Sequence, residues 1–180
     1  AVGLCTAARN DMIIVLPNHV ETVSAASGLV LDKAGVSVIG VGSGSSRPKV
    51  NFTTAIGATM IVSAANCSFT NVLFTGGFDA LTAPINIQAA DFKFHDCETR
   101  DVTGQAVLWI LTTAAADRMH IKDWRHNGAT AAGGSAVLRI VGGEGIHALV
   151  TKCRLDNLPE HHKKALEAIA KGSGRPEADI

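Results

Sequence analysis

The sequence predicts an all-β chain wound as a parallel solenoid, and three observations carry that prediction. A ten-residue pattern recurs as LVLDKAGVSV (Leu29–Val38), MIVSAANCSF (Met60–Phe69) and INIQAADFKF (Ile85–Phe94). Each copy holds Gly35, Asn66 or Asp91 at one position, and these residue types best tolerate a left-handed backbone. The composition is poor in aromatics, with no Tyr and 2 Trp, and rich in Gly, which fits short strands and tight turns.

Within each copy the first strand alternates. Leu29, Met60 and Ile85 share one position, and Leu31, Val62 and Ile87 share the next one on the same face. A pair of small or flexible residues follows: Lys33-Ala34, Ala64-Ala65 or Ala89-Ala90. After the bend a second strand starts with Val36 and Val38, Cys67 and Phe69, or Phe92 and Phe94. An inward residue is expected three positions later, at Val41, Val72 and Cys97. Two further segments join this alignment, Met119-Ile121-Trp124 and Ala148-Val150-Cys153. The copies start at 36, 67, 92, 119 and 148, so the steps are 31, 25, 27 and 29 residues. Constant strands with variable loops are the mark of stacked coils. A β-sandwich would not require one class of bend residue at one register.

Both ends of such a stack need cover, since open strand edges invite aggregation. Residues 1–9 are expected to form a short helical turn with Val2, Leu4, Cys5 and Ala8 inward. Asp156 to Glu160 is a helix-start cluster, with Pro159 suited to a first turn. Leu158, His162, Ala165, Leu166 and Ile169 then fall on one face of a helix ending near Gly172. The expected organisation is therefore a solenoid over 1–158, a capping helix over 159–172 and a loose tail over 173–180. The composition changes abruptly near residue 159, which also fits an engineered scaffold with an added cap.

The totals exclude some classes. Formal net charge is zero, so no general electrostatic grip on nucleic acid or an anionic membrane is expected. No run of 18 apolar residues implies a transmembrane helix. The chain lacks an initiator Met and a signal-peptide pattern, as a processed or trimmed form would. Cys5, Cys67, Cys97 and Cys153 are widely spaced in apolar contexts and are expected as thiols.

The opening NDMIIVLPNHVETV (Asn10–Val23) resembles the first coil of pectin-lyase-like parallel β-helix proteins. The matching features are Asp11, Ile13 and Val15, the turn Pro17-Asn18, and the strand Glu21-Thr22-Val23. AGVSVIGVGSGSSRPKVNF (Ala34–Phe52) looks like the next coil, with a loop after Gly40. The phrases GLCTAAR, AGVSVIGVG, SAANCSFTNVLF, TTAAADRMHI and GATAAGG make residues 1–158 similar to small β-helix proteins carried in bacteriophage genomes. The resemblance implies an all-β, right-handed, single-stranded parallel β-helix with a short N-terminal helical cap and a C-terminal helix. It also implies a virion component that forms homotrimers and meets other virion proteins.

Enzymes of that superfamily act on polysaccharides with clustered carboxylates, sometimes with calcium. Here Asn71, Asp96, Asp123 and Lys152 precede the inward residues of successive coils, and Leu73, Glu98, Arg125 and Arg154 follow them. Asp96, Asp123 and Arg125 are thus the catalytic or calcium-binding candidates, with His95 and His126 close by. The competing explanation is structural: Asn and Asp satisfy backbone groups at bends, and Glu98–Arg125 is a cross-strand ion pair. Alternation places Trp109 outward, as a sugar platform or interface anchor. Leu166 and Ile169 are further interface candidates. The favoured expectation is a self-associating structural protein without cofactor. Its outer faces, such as Ala129–Val137, suit side-by-side packing. The rival is a polysaccharide depolymerase or receptor-binding module.

Overall fold

Each turn of the chain lays down three short strands separated by bends, and the next turn repeats them one layer on. The computed structural model describes residues 1–129, 134–141 and 148–156. Turn 1 holds β1 (Met12–Val15), β2 (Val20–Val23) and β3 (Leu29–Leu31). Turn 2 holds β4 (Ser37–Gly40), β5 (Lys49–Phe52) and β6 (Met60–Val62), and turn 3 holds β7 (Ser68–Thr70), β8 (Leu73–Gly76) and β9 (Thr82–Ile87). Turn 4 has β10 (Lys93–His95), β11 (Glu98–Asp101) and β12 (Leu108–Thr112), and turn 5 has β13 (Met119–Lys122), β14 (Arg125–Asn127) and β15 (Ala136–Arg139). β16 (Ala148–Thr151) and β17 (Arg154–Asp156) begin a sixth.

Like strands stack in parallel into three sheets. Sheet A runs β1-β4-β7-β10-β13-β16, sheet B runs β2-β5-β8-β11-β14-β17, and sheet C runs β3-β6-β9-β12-β15. Over the described residues the chain is therefore an all-β parallel solenoid of about five turns with almost no helix. The repeated decapeptide is the passage from sheet C to sheet A. Its register is the one read from the pattern: Leu29 pairs with Met60 and Met60 with Ile85, while Leu31, Val62 and Ile87 form the next column.

The bends explain why small, Asn and Asp residues recur. Asn10, Gly35, Asn66, Asp91 and Arg118 all have positive φ at the C-to-A corner. There the backbone N–H of Gly35, Asn66 and Asp91 donates to the carbonyls of Ala65, Ala90 and Asp117, one turn on. Left-handed backbone costs an L-residue about 1–2 kcal/mol, least for Gly, Asn and Asp. Arg118 breaks that preference, but its guanidinium holds Asp91 bidentately, at 2.7 Å for both contacts, and also bonds Asp117. Gly35 is additionally constrained by space, because a Cβ there would sit 2.8 Å from Asn10 Oδ1.

The inward columns fill the interior. In sheet A, Ile13, Val38, Phe69, Phe94, Ile121 and Val150 are successive partners. The sparse aromatics are concentrated inside: Phe52, Phe69, Phe74, Phe92, Phe94, Trp109 and Trp124 are all buried. Phe69 meets Phe74 edge-on at 5.4 Å, and Phe74 lies 5.3 Å from Phe94. Such pairs add about 0.5–1.5 kcal/mol beyond burial. Cys67, Cys97 and Cys153 are buried free thiols and Cys5 is half-buried.

Several expectations change. Residues 1–9 form only a three-residue 3-10 turn, Val2–Leu4. Val2 and Cys5 pack against the core, but Leu4 is 88% exposed and Ala8 is exposed. Val41 is not inward, because the chain leaves the coil after Gly40 and returns at β5. Trp109 is not outward. A register shift between Leu108 and Ile110 places Trp109 and Ile110 both inside, and Trp109 is 1% exposed. The expected helix over 159–172, with Leu166 and Ile169, lies outside the described residues. No described helix is long and apolar enough to cross a membrane.

Candidate functional site

The carboxylate candidates sit at the corner between sheets A and B. That corner takes two residues: an outward one with left-handed backbone, then an inward one. Asn71, Asp96, Asp123 and Lys152 fill the outward position, with φ between 51° and 57°. Val72, Cys97, Trp124 and Cys153 fill the inward one and are buried. The corner N–H again reaches one turn on, from Asn71 to His95 O, Asp96 to Lys122 O, and Asp123 to Thr151 O. Asp96 and Asp123 are therefore neighbours in one file, as their spacing implied. The same file accepts Asn and Lys, so its common feature is the backbone conformation. Asp123 also faces Lys122 at 3.7 Å.

Arg125 joins Asp156 at 3.1 Å rather than Glu98. Glu98 and Arg125 are strand partners, as expected, but the carboxylate has turned elsewhere. Glu98 is 5% exposed and binds Arg47 and Arg100. Burial pushes its carboxyl up, but the hydrogen bonds from Arg100 and Arg47 together outweigh this and hold it below the usual range. Arg47 arrives from the loop between β4 and β5, 51 residues away in sequence. The Asn71 side-chain amide pins that loop through the carbonyls of Gly40 and Gly42, at 2.9 Å each. Through Arg47 the loop reaches the outer face of sheet B, where outward-facing Leu73 is only 2% exposed.

His95 and His126 are separated by the sheet wall. His95 lies on the outer face of sheet A, against His120. His126 points inward and is 1% exposed. It belongs to a buried polar chain that no motif of the sequence marks. Trp124 Nε1 donates to Thr99 Oγ1 at 3.1 Å, and Thr99 Oγ1 meets His126 Nδ1 at 2.9 Å. An indole N–H only donates, so Thr99 Oγ1 accepts from it; the hydroxyl keeps a second lone pair and one hydrogen, and so suits either tautomer of His126. On the other side of the ring, His126 Nε2 faces Asp101 at 3.9 Å. Burial pushes the imidazole down to about 4. Burial pushes the Asp101 carboxyl up, against N–H donors from Ala106, Trp109 and Ala129.

The sequence did carry a signal for this chain. Val50, Phe74, Thr99, His126 and Leu155 form one inward column of sheet B. Two consecutive polar residues in that column mark the network once sheet B is aligned.

Two hollows open on the surface of the described residues. One, of about 310 Å³, opens at the first turn and is lined by Val2, Ile13, Val15, Leu29, Leu31 and neighbours. The other, of about 430 Å³, is a polar groove on sheet A lined by Asn10, Ser37, Asn66, Ser68 and Lys93 among others. Neither includes Asp96, Asp123 or Arg125. Among the described residues no group of three or more His, Cys, Asp or Glu converges as a metal centre.

Comparison of the chain with protein-family models, with curated proteins and with solved structures finds no match in any of the three.

Proposed function

We propose that this chain is a non-enzymatic structural module whose solenoid acts as a rigid building block and self-associates. The observation that carries this reading is the apolar rim of the first turn. Leu4, Met12, Ile14, Leu16 and Val20 are between 49% and 88% exposed, and all lie within residues 4–20. β1, β2 and β3 are the outermost strands of the three sheets there. An apolar rim beside unpaired strand edges is a surface that another chain covers readily. The resemblance to pectin-lyase-like and phage-encoded β-helix proteins adds a right-handed winding, a virion setting and threefold symmetry to this proposal. Those three rest on the resemblance alone.

The rival reading is a polysaccharide depolymerase centred on Asp96, Asp123 and Arg125. It is favoured by the stacking of the two aspartates on successive turns. Against it, their corner position is satisfied by backbone geometry, and Trp109 offers no exposed ring for a sugar.

The test is particle mass by light scattering across a range of concentrations. Self-association that weakens in the double variant Met12→Lys/Leu16→Lys is the expected result, and a trimer would fit the virion setting. A monomer at every concentration would overturn the proposal. A panel of polysaccharides, with and without calcium, separates the rival. Reducing ends or unsaturated products that vanish in Asp123→Asn would establish the depolymerase.

A further inference from the structure

From the outer face of sheet A we infer a zinc-binding site made by His95 and His120, which clips the fourth turn to the fifth. The parallel register places Lys93 opposite His120 and His95 opposite Lys122. The two histidines therefore occupy one diagonal of a four-residue tile on two hydrogen-bonded strands. Their rings meet edge to face, with centroids 4.8 Å apart and planes at 78°. His95 Nε2 lies 3.3 Å from His120 Nδ1.

That separation discriminates between metals. Tetrahedral zinc with Zn–N bonds of about 2.0–2.1 Å spans neighbouring nitrogens about 3.3–3.4 Å apart. Adjacent nitrogens on a square-planar ion with similar bonds are only about 2.8–3.0 Å apart. The tile thus already holds its two nitrogens at a tetrahedral edge. Both rings are half-buried, so their rotamers are restricted before any ion arrives. Burial, then His120 and Lys122, lowers the pKa of His95 below its ordinary range.

In the free protein one ring donates its N–H to the other across the 3.3 Å gap. Zinc requires both facing nitrogens bare. The donor ring shifts its proton to its far nitrogen, so His95 carries hydrogen on Nδ1 and His120 on Nε2, with no net proton loss. Water completes the coordination shell. Lys93 and Lys122 share the tile and oppose a dication, while Asp96, beside His95, favours one. Lys122 also leans towards Asp123. These opposing charges make the site one for a loosely held ion.

The experiment is a zinc titration of the whole chain, read by thermal unfolding and by 15N chemical shifts of the histidine rings. Zinc is expected to raise the unfolding temperature by mass action and to move the Nε2 signal of His95 and the Nδ1 signal of His120. The variants His95→Asn and His120→Asn are each expected to weaken that component of binding about tenfold or more, since even supporting partners of metal ligands contribute on that scale. Both side chains face outward, and circular dichroism checks that each variant folds. The chain carries other histidines, so the difference between parent and variant is the quantity that decides. Ring nitrogens of His95 and His120 that do not move in the unsubstituted protein would overturn the inference. Zinc stabilisation of equal size in parent and variants would overturn it too.

Discussion

The first turn and the fourth are written in the same pattern but live in different surroundings. In the fourth turn, Phe92, Phe94, Cys97, Trp109 and Ile110 are essentially sealed. In the first, the corresponding strands are half open: β1 alternates exposed with intermediate residues, and Val23 is the one buried residue of β2. The difference is not in the residues, since Met12, Ile13, Ile14 and Val15 are all apolar. It lies in having a neighbour on one side only. A coil of this kind buries its face against the next coil, so stability accumulates towards the middle of the stack. The terminal layer keeps apolar surface for something else to cover.

The sharpest way to break this comparison uses one column and one substitution. Ile121 and Ile13 face inward in the same file of sheet A, four layers apart, with Ile13 in the outermost layer and Ile121 between Phe94 and Val150. Ile121 is completely buried, and Ile121→Ala should cost about 4 kcal/mol in urea unfolding. Ile13 only packs against the core from the rim, and Ile13→Ala should cost about 1 kcal/mol. Equal losses would mean the first turn is as sealed as the fifth.

Between these two in size comes a pH effect confined to the interior. His126 folds as the neutral form with its pKa pushed down to about 4, whereas the unfolded chain protonates near the ordinary 6.5. Its contribution is complete above pH 6.5 and is lost as pH falls from there towards 4. The full span is about 3 kcal/mol. Asp101, raised by burial, acts in the opposite sense at lower pH, so the loss is steepest in the upper part of the window. Unfolding at a series of pH values should show it, and His126→Leu should flatten the slope by removing the titrating ring. The rim has no comparable buried imidazole, so hydrogen exchange should report opening around turns 4 and 5 first on acidification.

The smallest expected effect is at the A–B corner. Asp123→Asn keeps a residue suited to left-handed backbone, as Asn71 already does two layers earlier. Stability should change by no more than about 0.5 kcal/mol in thermal unfolding. A larger loss would mean that the carboxylate itself, and not the bend, holds that position.

Much of the fold was legible because a solenoid writes its contacts into sequence spacing. The columns Leu29-Met60-Ile85 and Phe69-Phe94-Ile121 follow from alignment alone, and the left-handed bends follow from Gly35, Asn66 and Asp91. The failures have local causes. Trp109 was misplaced because strict alternation cannot anticipate a bulge that turns two successive residues inward. Val41 was misplaced because a loop begins there. The Arg47–Glu98 pairing was invisible because it depends on how the eight-residue excursion between β4 and β5 folds back over sheet B, and no periodicity encodes that. Asp96 and Asp123 were brought together as the register required, but their immediate surroundings were not legible from type and spacing. Sheet B carried weaker signals than sheet C, since its inward files mix Phe74 with Thr99 and His126.

The central claim is that residues one turn apart in sequence lie directly over one another. Methyl NOEs among Leu31, Val62 and Ile87 test it most directly. Val62 should show strong cross-peaks to both Leu31 and Ile87, one layer away on either side. Leu31 and Ile87, two layers or roughly 9–10 Å apart, should show little or none. Absence of both Val62 cross-peaks, in a chain whose methyl signals are otherwise resolved, would contradict the stacked coil and everything argued from it.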